Sequence, residues 1–203
     1  MHIGNRYKHI CKNITINNIE IPWLEKTNYL GIVLCAGNIL KCNWSDAKLK
    51  FYCCSNTIFG RLGASNNAPT VLKLIDATSL QKLIYGISAT ILNKSELTEL
   101  SRVYDSVFAK MFRTFDNHII KSCQFNFGYL AFNYMYDLCR LTFLKKLYNQ
   151  SLHYHSFCNL DQRDISEFVK LKTLYNITDS DSAKALKKKV WIKFENDLLI
   201  MNG

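Results

Sequence analysis

Proline is scarce, at 2 in 203 residues, and the last is Pro69. Proline removes a backbone donor and clashes with the preceding helical turn, so every later helical pattern runs uninterrupted. Acidic residues are few as well. Sixteen Asp and Glu face 26 Lys and Arg, a formal charge of +10. That balance suits a polyanionic partner. The eight cysteines include no Cys-x-x-Cys pair, so the paired thiolates of a common zinc site are missing. Cys53 and Cys54 are adjacent and diverge on a helix, and reduced, mostly buried thiols are expected. No uncharged apolar run reaches about 18 residues, so no membrane partner is expected. The opening MHIGNRYKHICK lacks the apolar stretch of a secretory leader. The expected compartment is intracellular, cytoplasm or nucleus.

Common catalytic motifs are missing too. There is no Gly-rich phosphate loop, GxSxG elbow or HExxH. The nearest carboxylate pair, Asp179 and Asp181 in TDSDS, is expected to cap the last helix. Asp161 and Asp164 are expected to start the helix before it. His153 and His155 could meet on a strand, but their neighbours suggest a helix end or loop. Cys123 or Cys158 can be paired with His118 or His155 on paper, without a supporting local pattern. No catalytic residue, metal ligand or resident cofactor is assigned.

What is present is ordered hydrophobicity: 48% of the residues are apolar, a globular composition. Ile14 and Ile16 alternate with polar neighbours, Asn17–Asn18 supply a turn, and Ile19 and Ile21 alternate again, which predicts a hairpin. Tyr29 to Leu34 predicts a third strand with Gly31 as a bulge or a close backbone approach. Ser45 is expected to cap a helix over 46–62 that ends at Gly63. Pro69 fits the first turn of a second helix carrying Val71, Leu72, Leu74, Ile75, Leu80, Leu83, Ile84, Ile87 and Ile91. Asn93 and Glu96 have capping-box spacing before a third, with Leu97, Leu100, Tyr104, Phe108, Met111 and Phe112 on one side and Glu99, Arg102, Asp105 and Lys110 on the other. A fourth, about 129–150, is apolar on two faces, which argues for a bundle. Amphipathic segments follow near 161–175 and 182–200, with 152–164 the best place for a break. The fold class expected is mainly α with a small N-terminal β element: a β-hairpin plus strand, followed by a helical bundle.

The cations cluster. Lys41, Lys48, Lys50 and Arg61 flank or lie on the first helix. Lys184, Lys187, Lys188, Lys189 and Lys193 crowd the last, where Leu186, Val190 and Phe194 form an apolar stripe that turns the lysines to solvent.

The ordered series HIGNRY, IPW, YLGI, FYCCSNTIFGRLG, LIYG, FAKMFRTFD and KSCQFNF resembles the C-terminal part of the reverse transcriptase of non-LTR retrotransposons, over roughly residues 1–150. The resemblance implies residues 1–40 as a palm-edge β segment with the primer grip and 41–125 as a helical thumb-like region; 126–203 is expected to be a helical C-terminal extension, and its tail after about 150 carries no motif of the family. It implies that Tyr29, Leu30 and Gly31 support the primer 3′ end, Gly31 letting backbone come near it. Lys41, Lys48, Lys50 and Arg61 would touch the phosphates of an RNA–DNA or DNA duplex, which positions without reading sequence. Tyr85–Gly86 and Phe112–Arg113–Thr114 would be thumb packing elements. The sequence departs from the family in having Ile87, Ser88 and Ala89 where an acidic residue is common. The Asp pair that holds two Mg ions in such palms precedes the primer grip, and Met1 stands after that point. Mg would belong to the missing palm, and no polymerase activity is expected from this chain by itself. Three readings follow: a reverse-transcriptase fragment, a stand-alone basic helical nucleic-acid-binding module, and a subunit completed by a palm and fingers on another chain.

Overall fold

The computed structural model describes residues 1–9, 12–63, 67–153 and 162–202. Cys11, the His153 side chain, His155, Cys158 and Asp161 lie outside the described residues, as does most of the break expected at 152–164. The class is the expected one, mainly α with a small N-terminal β element. Two compact units, Met1–Lys50 and Phe51–Gly203, meet inside the first helix.

In the first unit, β1 (Ile14–Ile16) pairs antiparallel with β2 (Ile19–Ile21). Asn17 and Asn18 take φ of 50° and 61°, the positive pair that a type I′ turn requires. Ile14 faces Ile21 and Ile16 faces Ile19, so all four isoleucines share one face. A second sheet holds β3 (Lys26–Tyr29), β4 (Ile32–Cys35) and β5 (Lys41–Asn43) in that order, all antiparallel. Here the structure corrects the sequence reading. Tyr29 to Leu34 is two strands of a hairpin, Tyr29 opposite Ile32, and Leu30–Gly31 form its two-residue turn. Gly31 is a turn residue and no bulge. Its φ of 82° is one that glycine adopts without strain.

Helix α1 (Ser45–Leu62) begins with the Ser45 amide donating to Asn43 Oδ1 at 2.8 Å, while Lys48 N donates to Trp44 O. Trp44 therefore occupies the cap position expected of Ser45. Gly63, φ 75°, ends the helix by donating to Phe59 O.

The second unit is a helical bundle. Asn67 Oδ1 caps α2 (Ala68–Leu74), with Pro69 in its first turn. The chain then passes through a π-helical turn (Ile75–Leu80) into α3 (Gln81–Ile84). The expected continuation to Ile91 fails, because Gly86 takes φ 75° and a 3-10 turn (Ile87–Ala89) follows. The Asn93–Glu96 capping box opens α4 (Lys94–Phe112) as expected, and Arg113, φ 52°, closes it. Helix α5 (Asn117–Asn126), capped by Asp116, was not predicted. Helix α6 (Phe132–His153) starts later than expected, because Gly128 turns the chain at φ 79°.

Helices α7 (Gln162–Leu174) and α8 (Ala183–Asn202) complete the order. The Ser182 hydroxyl accepts from Ala185 N at the start of α8, the role expected of Asp179 or Asp181. Those two carboxylates accept from Lys172 and Lys189 instead. Leu141 and Leu144 of α6, Phe168 and Leu171 of α7, and Leu186 and Val190 of α8 form one core cluster. Each such side chain contributes about 1.5–3 kcal/mol by leaving water. On α4, Leu100, Tyr104, Phe108 and Met111 are buried and Arg102 is exposed. Asp105, placed on the solvent side by its spacing, is half-buried and accepts from Gln124 Nε2 at 2.7 Å. The cysteines also depart from expectation. None of the six described is buried; Cys53 is exposed and the others are half-buried.

Candidate nucleic-acid interface

The tip of the β3–β4 hairpin is the most conspicuous exposed feature of the first unit. Tyr29 is 63% and Leu30 71% exposed. Leu30 also takes φ 49°, a left-handed conformation that costs a bulky residue roughly 1–2 kcal/mol. Asn or Gly would fill this turn position without strain. An apolar side chain that is both solvated and strained has no folding rationale in this unit. Strain of this kind clusters at active sites, ligand clamps and switch regions.

The four cations divide. Lys41 opens β5 and is exposed. Lys50 and Arg61 are both exposed, and about three turns separate them, so they share a face of α1. Lys48 stands on another line. It precedes Phe51, Ser55 and Phe59 at helical spacing, and those three are the buried residues of α1. Half-exposed Lys48 lies on the far side of the helix from Lys50. Helical spacing thus sets Lys50 and Arg61 on one line of α1 and Lys48 on another.

On α8 the expected stripe forms: Leu186, Val190 and Phe194 are buried, joined by Leu198. Lys189 bonds Asp181 and the Asn176 carbonyl, and Lys193 bonds Asp197. Lys184, Lys187 and Lys188 are exposed.

Tyr85 of the Tyr-Gly pair is exposed, and the following 3-10 turn is gripped from behind. Wholly buried Arg140 of α6 donates from Nη1 to the Ser88 carbonyl at 2.7 Å and from Nη2 to Asp164 at 2.8 Å, and it also pairs with Glu167. Burial alone would depress its guanidinium; bonds to Glu167 and Asp164 reverse that and raise it. Tyr136 completes the brace. Its hydroxyl accepts from Leu92 N and donates to Thr90 O, and burial pushes it up to about 12. Sequence periodicity placed Tyr136 on an apolar face and said nothing of Arg140.

Burial raises the Asp137 carboxyl, against the Tyr175 hydroxyl that donates to it at 2.5 Å. Burial also raises Asp105 and Cys123. His118 sits exposed in the first turn of α5. Among the described residues, no three metal-ligating side chains converge and no helix is long and apolar enough to cross a membrane. No protein-family model, curated protein or solved structure matches the chain.

Proposed function

We propose that this chain holds a primer–template duplex, as the primer-grip and thumb part of a reverse transcriptase of the non-LTR retrotransposon type. The observation that carries the proposal is the solvated, strained turn at Leu30, flanked by exposed Tyr29 and by Gly31. In this reading Tyr29 and Leu30 pack against the primer end, and Gly31 leaves room for its backbone. Lys50 and Arg61 meet the phosphates from one face of α1, with Lys41 beside them in sequence order. The element order, hairpin then helical bundle, is the order the resemblance implies. The reading also holds that Mg-dependent extension needs a palm on another chain or segment. Nucleotide incorporation by the purified chain would count against that part.

The test is duplex affinity across a salt series. A linear log–log dependence is expected, with the slope reduced by about 0.9 for each B-DNA phosphate contact removed. Lys50→Ala and Arg61→Ala should each reduce it, and Lys48→Ala should change it least. Slopes unchanged in both Lys50→Ala and Arg61→Ala would overturn the placement on α1. The second reading, a stand-alone basic binding module, draws on the exposed lysines of α8. It predicts the same salt dependence without preference for a primer end.

A further inference from the structure

We propose, resting on the proposed nucleic-acid-binding function, that Phe115 is a stacking platform for one unpaired base of a single-stranded nucleic acid. Phe115 is 94% exposed, more than any other large apolar residue among those described. Its aromatic neighbours in sequence behave in the opposite way. Phe108 is buried, and Phe112 packs its ring against Phe108 and Phe127 at centroid distances of 6.5 and 5.3 Å. Phe115 adds nothing to that core.

The segment that carries Phe115 is short and tied at both ends. Residues 113–116 alone join α4 to α5. Thr114 N donates to the Ala109 carbonyl at 3.2 Å, Asp116 N to Thr114 Oγ1 at 3.2 Å, and His118 N to Asp116 Oδ1 at 2.8 Å. Met111 of α4 and Ile120 of α5 are buried on either side, so the core holds both helices. Arg113 takes φ 52°, where glycine or asparagine would sit without strain. A ring presented on a fixed turn loses little freedom on contact, and that favours binding.

Size and charge select the occupant. Residues 116–118 are exposed and polar. The ring, even with half-exposed Ile119 nearby in sequence, falls far short of the roughly 800 Å² per side of a stable protein interface. One ring matches one base. Every base has a π-face, so stacking on an aromatic side chain needs no particular sequence. Between Asp105 and Asp137 the chain carries Lys110, Arg113 and Lys121 against a single acid, Asp116. The Asp116 carboxylate is itself engaged by the His118 amide in the first turn of α5. Exposed Arg113 offers a cation to the phosphate next to the stacked base.

The test titrates the full chain into fluorescein-labelled oligothymidylate of about 12 nucleotides, a length within the range of such sites, and in parallel into a blunt duplex. Phe115→Ala leaves the core intact, so the variant folds. It should weaken single-strand binding roughly tenfold, with duplex affinity and the salt slope unchanged. Phe115→Tyr should restore the affinity and Phe115→Leu should not, because the ring and not its apolar character makes the contact. Arg113→Gln should instead reduce the single-strand salt slope by about 0.7. A loss below about twofold in Phe115→Ala, wild-type affinity in Phe115→Leu, or no single-strand binding by the wild-type chain would overturn the platform. Failure of the duplex arm alone would count against the primer–template reading, with the single-strand arm still deciding the platform.

Discussion

The two units treat the same kind of sequence pattern in opposite ways. Ile14, Ile16, Ile19 and Ile21 alternate perfectly and share one face of a hairpin, yet they remain 45–70% exposed. Leu186, Val190 and Phe194 repeat every fourth residue on α8 and are at most 2% exposed. Periodicity tells which side of an element is apolar. Whether that side is covered depends on partners of high sequence separation. The bundle supplies them from α6 and α7, whose buried residues share one core cluster with Leu186 and Val190. The first unit leaves its isoleucine face open, a liability for association between copies.

Substitutions in the bundle should be the costly ones. Leu144→Ala removes a wholly buried side chain from the α6–α7–α8 core, and a loss of about 2–5 kcal/mol is expected in urea unfolding. Arg140→Met strands Asp164 and Glu167, both partly solvated. A loss of about 3 kcal/mol is expected, at the lower end for breaking a buried pair. A loss below 1 kcal/mol for either variant would erase the contrast between the units.

The hairpin tip should behave in the reverse sense. Leu30→Asn relieves a left-handed leucine and should stabilise the first unit by about 1 kcal/mol, while weakening whatever contact the leucine makes. Stability measured beside duplex affinity separates the two effects. Ile19→Thr is expected to change unfolding by less than about 0.5 kcal/mol and to slow aggregation in light scattering. A cost comparable to Leu144→Ala would mean that the isoleucine face is covered after all.

The smallest effect concerns pH. Hydrogen bonds from Lys189 and the Thr178 amide hold the Asp181 carboxyl down to about 2. Its folded value lies below the ordinary carboxylate value of about 3.9. Its contribution is therefore complete above that value and lost as pH falls from about 4 to about 2. Asp181→Asn should lower stability at neutral pH, where that contribution is complete, and meet the wild-type curve below about pH 2, so that the acid limb is flatter in between. An identical acid limb in the variant would show that the ion pair with Lys189 contributes nothing.

Much of this was legible in residue spacing. The Asn17–Asn18 turn, the Asn93–Glu96 capping box, the Gly63 stop and the α8 stripe all follow from local rules, because each depends on groups a few residues apart. The losses are also instructive. Leu30–Gly31 read as the middle of a strand because apolar strand-formers flank them on both sides. Glycine at the second central position, with Tyr29 and Ile32 able to pair across it, was the available sign of a turn. The Tyr-Gly helix stop was hidden by a run of isoleucines on both sides of Gly86. Arg140 was invisible, since nothing local distinguishes a buried arginine from a solvated one; its partners stand 24, 27 and 52 positions away. Lys48 shows the opposite limit of local spacing. Proximity in sequence to Lys50 suggested a shared patch, and helical geometry separates them.

The central claim is that the Tyr29–Leu30–Gly31 turn supports the end of a primer. Its most direct test compares affinity for a duplex with a recessed 3′ end against a blunt duplex of equal length, for the wild-type chain and for Leu30→Ala. The account predicts tighter binding to the recessed end and loss of that preference in the variant, with the salt slope unchanged. Equal affinity for both duplexes, or a preference that survives Leu30→Ala, would contradict it.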